Sequence, residues 1–322
     1  MKHLYPELEP YSSYLLDVDE LHRVYIEECG NPDGLPVIYL HGGPASGCKP
    51  DHRCFFNPEV YRIVLFDQRG CGRSQPFGAL KNNTTQHLLE DIEKIRQHLN
   101  IQQWILFGGS WGATLALLYA QQHRHAVSAM ILRGSFLARE ADLSWFAGNG
   151  ANYIYPEMWE QFMSAIKHNG DSLSAMPTFF DNLFTGNAQQ QHDAALGWSI
   201  WGAQVALGNE FDLTGFPERA DAAMLKQVKI EAHYAKHRYF LDENQILDNC
   251  DCIQDVPVTI IHGRQDLVCP LQAAWSLHRA LPKALYICLP NSGHIASGED
   301  MINALVSATD RIAAQQQDTT LD

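Results

Sequence analysis

Six short runs of apolar residues, rich in branched side chains, recur along the chain between polar or glycine-rich stretches. Runs of this length and composition are typical of strands that are buried on both faces of a parallel sheet. Each run therefore predicts one strand of such a sheet. The runs cover residues 37–40, 63–66, 104–107, 129–132, 258–261 and 285–289.

Segments with helical periodicity separate several of these runs. Residues 84–99 predict a helix because apolar side chains recur on one face, at Leu88, Ile92, Ile95 and Leu99. Asn83 or Thr84 can cap its first turn. A second helical segment covers residues 113–122. The alternation of strand and helix predicts the α/β class, with a mostly parallel central sheet and helices on both faces.

The strand pattern stops between residues 136 and 247. This stretch is helical in composition and dense in aromatic side chains, and strand-like runs resume only after residue 255. We interpret residues 136–247 as a helical cap inserted over the carboxyl edge of the sheet. Residues 1–135 and 248–322 then form the two parts of one core. Most cap aromatics are expected to pack together, and some to line a substrate pocket.

Composition and charge narrow the functional classes. The chain has 322 residues, of which 46% are hydrophobic, so it can bury a substantial core. Its net charge of −14 and the absence of a basic cluster argue against nucleic acid and against an anionic membrane as partners. The first ten residues lack a signal-peptide pattern, and no apolar run reaches the length of a membrane span.

The eight cysteines show neither a C-x-x-C pair nor zinc-ligand spacing with histidines. Reduced thiols in a cytoplasmic protein are therefore the simplest expectation.

The most informative motif is Gly108-Gly109-Ser110-Trp111-Gly112. It follows the predicted strand 104–107 and precedes the predicted helix 113–122, which is the context of a nucleophile elbow. Small residues two positions before and two positions after the serine let strand and helix approach closely. We therefore predict that Ser110 is a nucleophile. The alternative is a glycine-rich turn with an idle serine.

A base and an orienting acid are expected downstream, because this fold orders its triad as serine, acid and histidine. Asp266 follows the predicted strand 258–261, and His294 follows the strand 285–289. Both side chains are thereby predicted at the same sheet edge as Ser110. His294 is expected to take the proton from the serine, and Asp266 to orient the imidazole.

An oxyanion hole needs two unobstructed backbone N–H groups. One is expected from Trp111, directly after the nucleophile. The second is expected from Gly43, in the segment His41-Gly42-Gly43-Pro44 that follows the strand 37–40. Taken alone, this segment is equally consistent with a simple Gly-Gly-Pro turn.

Nearly the whole chain resembles the proline iminopeptidase family, also called prolyl aminopeptidases. The similarity rests on His41-Gly42-Gly43-Pro44, Asp67-Gln68-Arg69-Gly70-Cys71-Gly72-Arg73-Ser74, Gly108-Gly109-Ser110-Trp111-Gly112, Leu132-Arg133-Gly134, Ile230-Glu231-Ala232-His233-Tyr234 and Gly263-Arg264-Gln265-Asp266-Leu267-Val268-Cys269-Pro270. The combination is much narrower than G-x-S-x-G alone.

The resemblance implies an α/β-hydrolase with a helical cap that releases amino-terminal proline from small peptides, without a metal or an organic cofactor. It implies the same triad and the same oxyanion donors. It further implies that Arg133 and Glu231 surround the amino end of the substrate. Phe136 and Phe146 match the apolar proline pocket of the family.

Two departures bear on specificity. The family commonly reads W-x-x-W-E-G, in which the glutamate is a second anchor for the amine, whereas this chain reads Trp198-Ser199-Ile200-Trp201-Gly202-Ala203. After Glu231 the family usually continues His-Tyr-Phe, but here Ala235 replaces the phenylalanine. The pocket is then wider, or Glu210 or another carboxylate replaces the missing anchor. An aminopeptidase of relaxed specificity, an esterase or amidase, and a non-catalytic binding protein remain alternatives.

Overall fold

The computed structural model describes residues 1–319. In this part of the chain, eight strands form one sheet in the order β1-β2-β4-β3-β5-β6-β7-β8. Strands β3 to β8 pair in parallel, while β1 and β2 join the sheet antiparallel. The strands are β1 Ser12–Asp17, β2 Arg23–Gly30, β3 Leu35–Leu40, β4 Tyr61–Phe66, β5 Trp104–Gly109, β6 Val127–Arg133, β7 Val258–Gly263 and β8 Leu285–Leu289.

The helices flank the sheet or lie between β6 and β7. They are α1 Thr85–His98, α2 Trp111–Gln122, α3 Glu140–Phe146, α4 Pro156–Ala165, α5 Ala175–Thr185, α6 Ala188–Leu207, α7 Ala222–Lys236, α8 Gln245–Asp248, α9 Leu271–Ala280 and α10 Glu299–Thr319. Within residues 1–319, none is both long enough and apolar enough to cross a bilayer.

The sheet is covered on both faces, which confirms the predicted α/β class. One face packs against α1, α2 and α9 through residues such as Ile38 and Leu106. The other packs against α10 through Tyr39 and Phe107, the next residues along the same strands. Neighbouring residues therefore face opposite layers, and this explains why β3 and β5 are apolar without a break.

The six predicted strands correspond to β3–β8, and β1 and β2 are additional. Sequence periodicity missed β2 because it carries Glu27 and Glu28, which interrupt its apolar run. Both carboxylates are buried, and each pairs with an arginine that lies elsewhere in the chain. Glu27 binds Arg53 at 2.7 Å, and Glu28 binds Arg62 at 2.6 Å. The sequence of this strand is therefore interrupted by charges, but in the folded protein both charges are buried and paired.

The segment between β6 and β7 contains α3–α8 and has a hydrophobic core of its own. This core is built from aromatic side chains of α4, α5 and α6, namely Trp159, Phe162, Phe179, Trp198 and Trp201. The short helix α8 crosses the boundary predicted at residue 247, and its Ile246 packs into the main core. The division into residues 1–135, 136–247 and 248–322 stays a prediction.

The turn from β5 into α2 fits only with glycine at its edges. A Cβ on Gly112 would overlap the carbonyl oxygen of Leu40 in β3, and a Cβ on Gly108 would overlap the carbonyl of Gly112. Backbone atoms of three elements are therefore in direct contact at the point where the sheet presents Ser110.

Gly112→Ala is expected to lower the free energy of unfolding by about 1–3 kcal/mol, because the added methyl group displaces backbone rather than a flexible side chain. Elsewhere in a helix the same substitution usually stabilises by about 0.5–1 kcal/mol. Gly202→Ala in α6 is the matched control, since its Cβ would meet nothing nearer than Phe146 Cζ at 4.0 Å. Urea unfolding of both variants is the measurement. Equal stability of the two variants would contradict the steric argument.

Candidate active site

Ser110 lies between β5 and α2 with a strained backbone. Its φ of 56° and ψ of −121° fall in a region that residues other than glycine rarely adopt. Its amide donates to the Arg133 carbonyl at 2.9 Å, so the neighbouring strand β6 holds the turn in place. The strain turns the hydroxyl out of the strand and above the amino terminus of α2. This is the geometry of a nucleophile elbow.

Asp266 and His294 meet where β7 and β8 end. His294 Nδ1 lies 2.8 Å from Asp266 Oδ2, while Asp266 Oδ1 accepts hydrogen bonds from the amides of Val268 and Cys269. Burial opposes ionisation of this carboxyl, but the nearby His294 and its hydrogen bond outweigh burial and hold the pKa of Asp266 below its usual value. An ionised Asp266 fixes the proton on Nδ1, so that Nε2 is left free to act as a base.

The Ser110 hydroxyl is directed at a thiol in this structure. Its Oγ lies 3.8 Å from Cys269 Sγ, and within residues 1–319 no hydrogen bond joins Ser110 to His294. Hydrogen bonds between a nucleophile and its base are often long before a substrate binds and shorten in the complex. We therefore expect the contact between Ser110 and His294 to form when a substrate binds.

The predicted oxyanion donors lie in the loop after β3 and at the first residue of α2, and the loop after β4 connects them. Gly43 has a φ of 115° and lines the cavity above Ser110, and Trp111 is the first residue of α2, where amides lack intrahelical acceptors. Gln68 ties the two together. Its side chain donates to the His41 carbonyl at 2.8 Å and accepts from Trp111 Nε1 at 3.1 Å. Gln68 belongs to a motif that supported the family resemblance, but the sequence did not reveal this bridge.

A cavity of about 620 Å³ separates the sheet edge from the cap helices. Predicted site residues from both sides line it, namely Gly43, Ser110, Phe136, Phe146 and Glu231. The structure therefore brings the proposed nucleophile and three of the proposed substrate residues, Phe136, Phe146 and Glu231, to one cavity.

Two residues considered for substrate binding, Arg133 and Glu210, lie outside this lining, as do Trp111, Asp266 and His294. The Arg133 guanidinium donates to the backbone carbonyl of His294 and packs against Gly109. It therefore contacts the backbone of the loop that carries His294. Glu210 is exposed in a short turn after α6. Neither position supports the expected contact with the substrate's amino end, and Arg133 is better placed to hold the His294 loop.

Glu231 is distinctive among the carboxylates of the cavity. Trp198 Nε1 donates to Oε2 and Gln227 Nε2 donates to Oε1, both at 3.1 Å. No cationic side chain of the described residues pairs with it. Burial in this neutral setting raises the pKa of Glu231 to about 7, against which the two hydrogen bonds act only weakly.

The other two acids that line the cavity are already neutralised. Asp142 pairs with Arg139 at 2.8 Å, and Glu140 pairs with Arg238 at the exposed rim. Glu231 is therefore the lining carboxylate, among residues 1–319, that is left to bind a cation from outside the protein.

Cys269 closes the site next to the triad. Its side chain is 1% exposed, and burial raises the pKa of the thiol well above its usual value. A bulky group on this sulfur has no room beside Ser110 and would displace Asp266, which accepts the Cys269 amide at 2.8 Å.

Bulky thiol reagents are expected to block labelling of Ser110 by a fluorophosphonate, and to do so faster as the pH rises, because the buried thiol must first ionise. Cys269→Ser should be labelled normally and resist the reagent. Cys252 is exposed, so Cys252→Ser should remain as sensitive as the unaltered protein. A resistant Cys252→Ser variant, or a sensitive Cys269→Ser variant, would place the effect elsewhere.

The chain is similar to known proteins over most of its length. The family model described as the alpha/beta hydrolase fold matches residues 36–300. A probable proline iminopeptidase of Leptolyngbya boryana is 42% identical, covering 98% of each chain. A proline iminopeptidase of Xylella fastidiosa is 45% identical over 96% of this chain and 99% of its own.

The solved structure of a proline iminopeptidase-related protein of Thermus thermophilus is 18% identical to this chain. It aligns with a TM-score of 0.59 over 95% of this chain and 98% of its own, which shows the shared fold. The chain therefore belongs to the proline iminopeptidase family, within the alpha/beta hydrolase fold.

Proposed function

We propose that this protein is a serine aminopeptidase that releases amino-terminal proline from small peptides through an acyl-enzyme on Ser110. One observation carries the proposal: Glu231, a carboxylate without a cationic partner among the described residues, lines the same cavity as the elbow serine. An esterase needs no such group, whereas an aminopeptidase must hold a positively charged amine at a fixed distance from its nucleophile.

Acylation follows from the arrangement of the triad. His294 Nε2 accepts the proton of the Ser110 hydroxyl as Oγ attacks the carbonyl carbon of the first residue. The N–H groups of Gly43 and Trp111 stabilise the oxyanion that forms. His294 then donates its proton to the leaving peptide nitrogen, and the C–N bond breaks. A water molecule repeats these steps on the acyl-enzyme, and the free amino acid leaves with Ser110 restored.

Recognition of the amino end limits cleavage to one residue. The ammonium group of the substrate pairs with Glu231, which the indole of Trp198 holds in place. The proline ring is compact and apolar, and the rings of Phe136 and Phe146 provide apolar walls for it. A peptide whose amine is acylated offers no charge to Glu231 and is excluded from productive binding. The cytoplasmic location and the independence from cofactors stay predictions.

Hydrolysis of proline 4-nitroanilide by the unaltered protein, Ser110→Ala and His294→Ala tests the proposal. Each substitution should lower kcat by roughly three to six orders of magnitude while the melting temperature stays close to that of the parent. Treatment with EDTA should change nothing. A Ser110→Ala enzyme that keeps most of its activity would contradict the mechanism, and hydrolysis of simple esters alone would favour the esterase alternative.

The pH dependence should reveal Glu231 separately from His294. Because the pKa of Glu231 is about 7, its ionised form is lost as the pH falls, and the pairing with the amine is lost with it. From pH 8 down to pH 6, kcat/KM for proline 4-nitroanilide should fall more steeply than for an ester that lacks an amine, which needs only neutral His294. Parallel profiles for the two substrates would show that Glu231 does not titrate in amine binding.

A further inference from the structure

Two helices of the cap face the cavity with residues one helical turn apart. Trp198 and Gly202 lie on α6, Glu231 and Ala235 lie on α7, and all four line the cavity. Residues at this spacing lie on the same face of a helix, and α6 packs against α7. The first member of each pair forms the amine site, because the Trp198 indole donates to Glu231. The second members have almost no side chain.

The space in front of Gly202 is open. A Cβ placed there would meet only Phe146 Cζ, at 4.0 Å, and the backbone does not have a positive φ. Gly197 on the same helix is different, since its Cβ would press on Ala165 Cβ at 3.0 Å. The open space thus lies on the cavity side of α6, whereas the helix is tightly packed at Gly197.

The surroundings of this space are apolar. The Phe146 ring packs against Trp198 with a centroid distance of 5.4 Å, and Phe180 on α5 lines the cavity on the α7 side, near Lys236. We call Phe180, Gly202 and Ala235 together the side pocket, and Phe146 lies at its border with the proline pocket. The cavity volume of about 620 Å³ lies within the range of about 300–1,000 Å³ that holds drug-sized ligands, so it exceeds the needs of a single five-membered ring.

We infer that the side pocket receives the side chain of amino-terminal residues bulkier than proline, so that the enzyme also releases phenylalanine and leucine. The inference rests on the proposed function. The amine and the side chain of an amino acid leave the same carbon, so a residue anchored at Glu231 carries its side chain within about one helical turn of that carboxylate. Ala235 lies one turn from Glu231 on α7, and Gly202 lines the same cavity from α6. A proline ring is closed back on its own nitrogen and cannot extend there.

The test is the ratio of kcat/KM values on the 4-nitroanilides of phenylalanine, leucine and proline. The unaltered enzyme should cleave the first two within about tenfold of proline. Ala235→Phe and Gly202→Leu fill the side pocket and should each lower the phenylalanine-to-proline ratio at least tenfold, since even one methylene group can change discrimination by about 10–200-fold. Gly202→Ala should give a smaller drop in the same direction.

Two matched variants carry the same substitutions away from the cavity. Ala222 is exposed in the first turn of α7, and a Cβ on Gly215 would meet nothing within 4 Å. Ala222→Phe and Gly215→Leu should therefore keep the ratio of the parent. Labelling of Ser110 by a fluorophosphonate reports whether each variant has a folded active site.

The two proposals fail in distinguishable ways. If the unaltered enzyme cleaves the proline substrate but cleaves phenylalanine and leucine more than a thousandfold more slowly, the side-pocket inference is overturned and the proposed function stands. If labelled, folded pocket variants lose activity equally on all three substrates, the inference is also overturned. If none of the three is cleaved by the parent, both proposals are overturned.

Discussion

The steric constraint at the β5–α2 turn determines where every other functional group must lie. Ser110 has its positive φ at a turn where Gly112, which has no side chain, lets the backbone of α2 contact the carbonyl of Leu40. That contact brings β3, β5 and α2 together, so the loop after β3 delivers Gly43 beside the amino terminus of α2. Strands β7 and β8 continue the same parallel sheet and end at the same edge, which is why their loops supply the acid and the base. Positive φ values at residues other than glycine recur around the site, at Ala45 beside the Gly43 loop and at Arg238 and Tyr239 in the cavity lining, so backbone strain is not confined to Ser110.

The second constraint is electrostatic and belongs to the cap. A carboxylate in an apolar cavity is costly unless a cation accompanies it. Two cavity acids meet this requirement with arginines of the chain, whereas Glu231 has only neutral hydrogen-bond donors and a pKa raised to about 7. In the proposed function, the substrate's ammonium group completes the ion pair, so binding energy is concentrated at the one atom that distinguishes a free amino terminus from an internal peptide bond. Under this proposal, the core carries out hydrolysis, and the predicted cap selects which bond is hydrolysed.

The sequence predicted the core far better than the cap. Buried parallel strands can be predicted from uninterrupted apolar runs in the sequence. Ser110, Asp266 and His294 lie in the segments that follow such runs, so their place at one edge of the sheet could be predicted as well. Strand β2 was not predicted because its buried glutamates form ion pairs with arginines that are remote in sequence. The lack of a cationic partner at Glu231 was not predicted for a related reason. A carboxylate without a cationic partner can be recognised only when the positions of all potential partners are known. Arg133 matches a family motif, yet its guanidinium donates to the His294 carbonyl. No local sequence pattern predicts this contact.

The central claim is that Glu231 binds the substrate amine directly, and a pair of esters that differ only in that amine tests it most sharply. Kinetics of Glu231→Gln on a prolyl ester and on the matching cyclopentanecarboxylate ester isolate the charge, because glutamine keeps the shape and the hydrogen bond from Trp198. Removing one partner of a desolvated pair costs roughly 3–5 kcal/mol, so kcat/KM on the prolyl ester should fall by roughly two to three orders of magnitude. The carbocyclic ester should be hydrolysed at nearly the parental rate. Equal losses on the two esters, or no loss on either, would contradict the account.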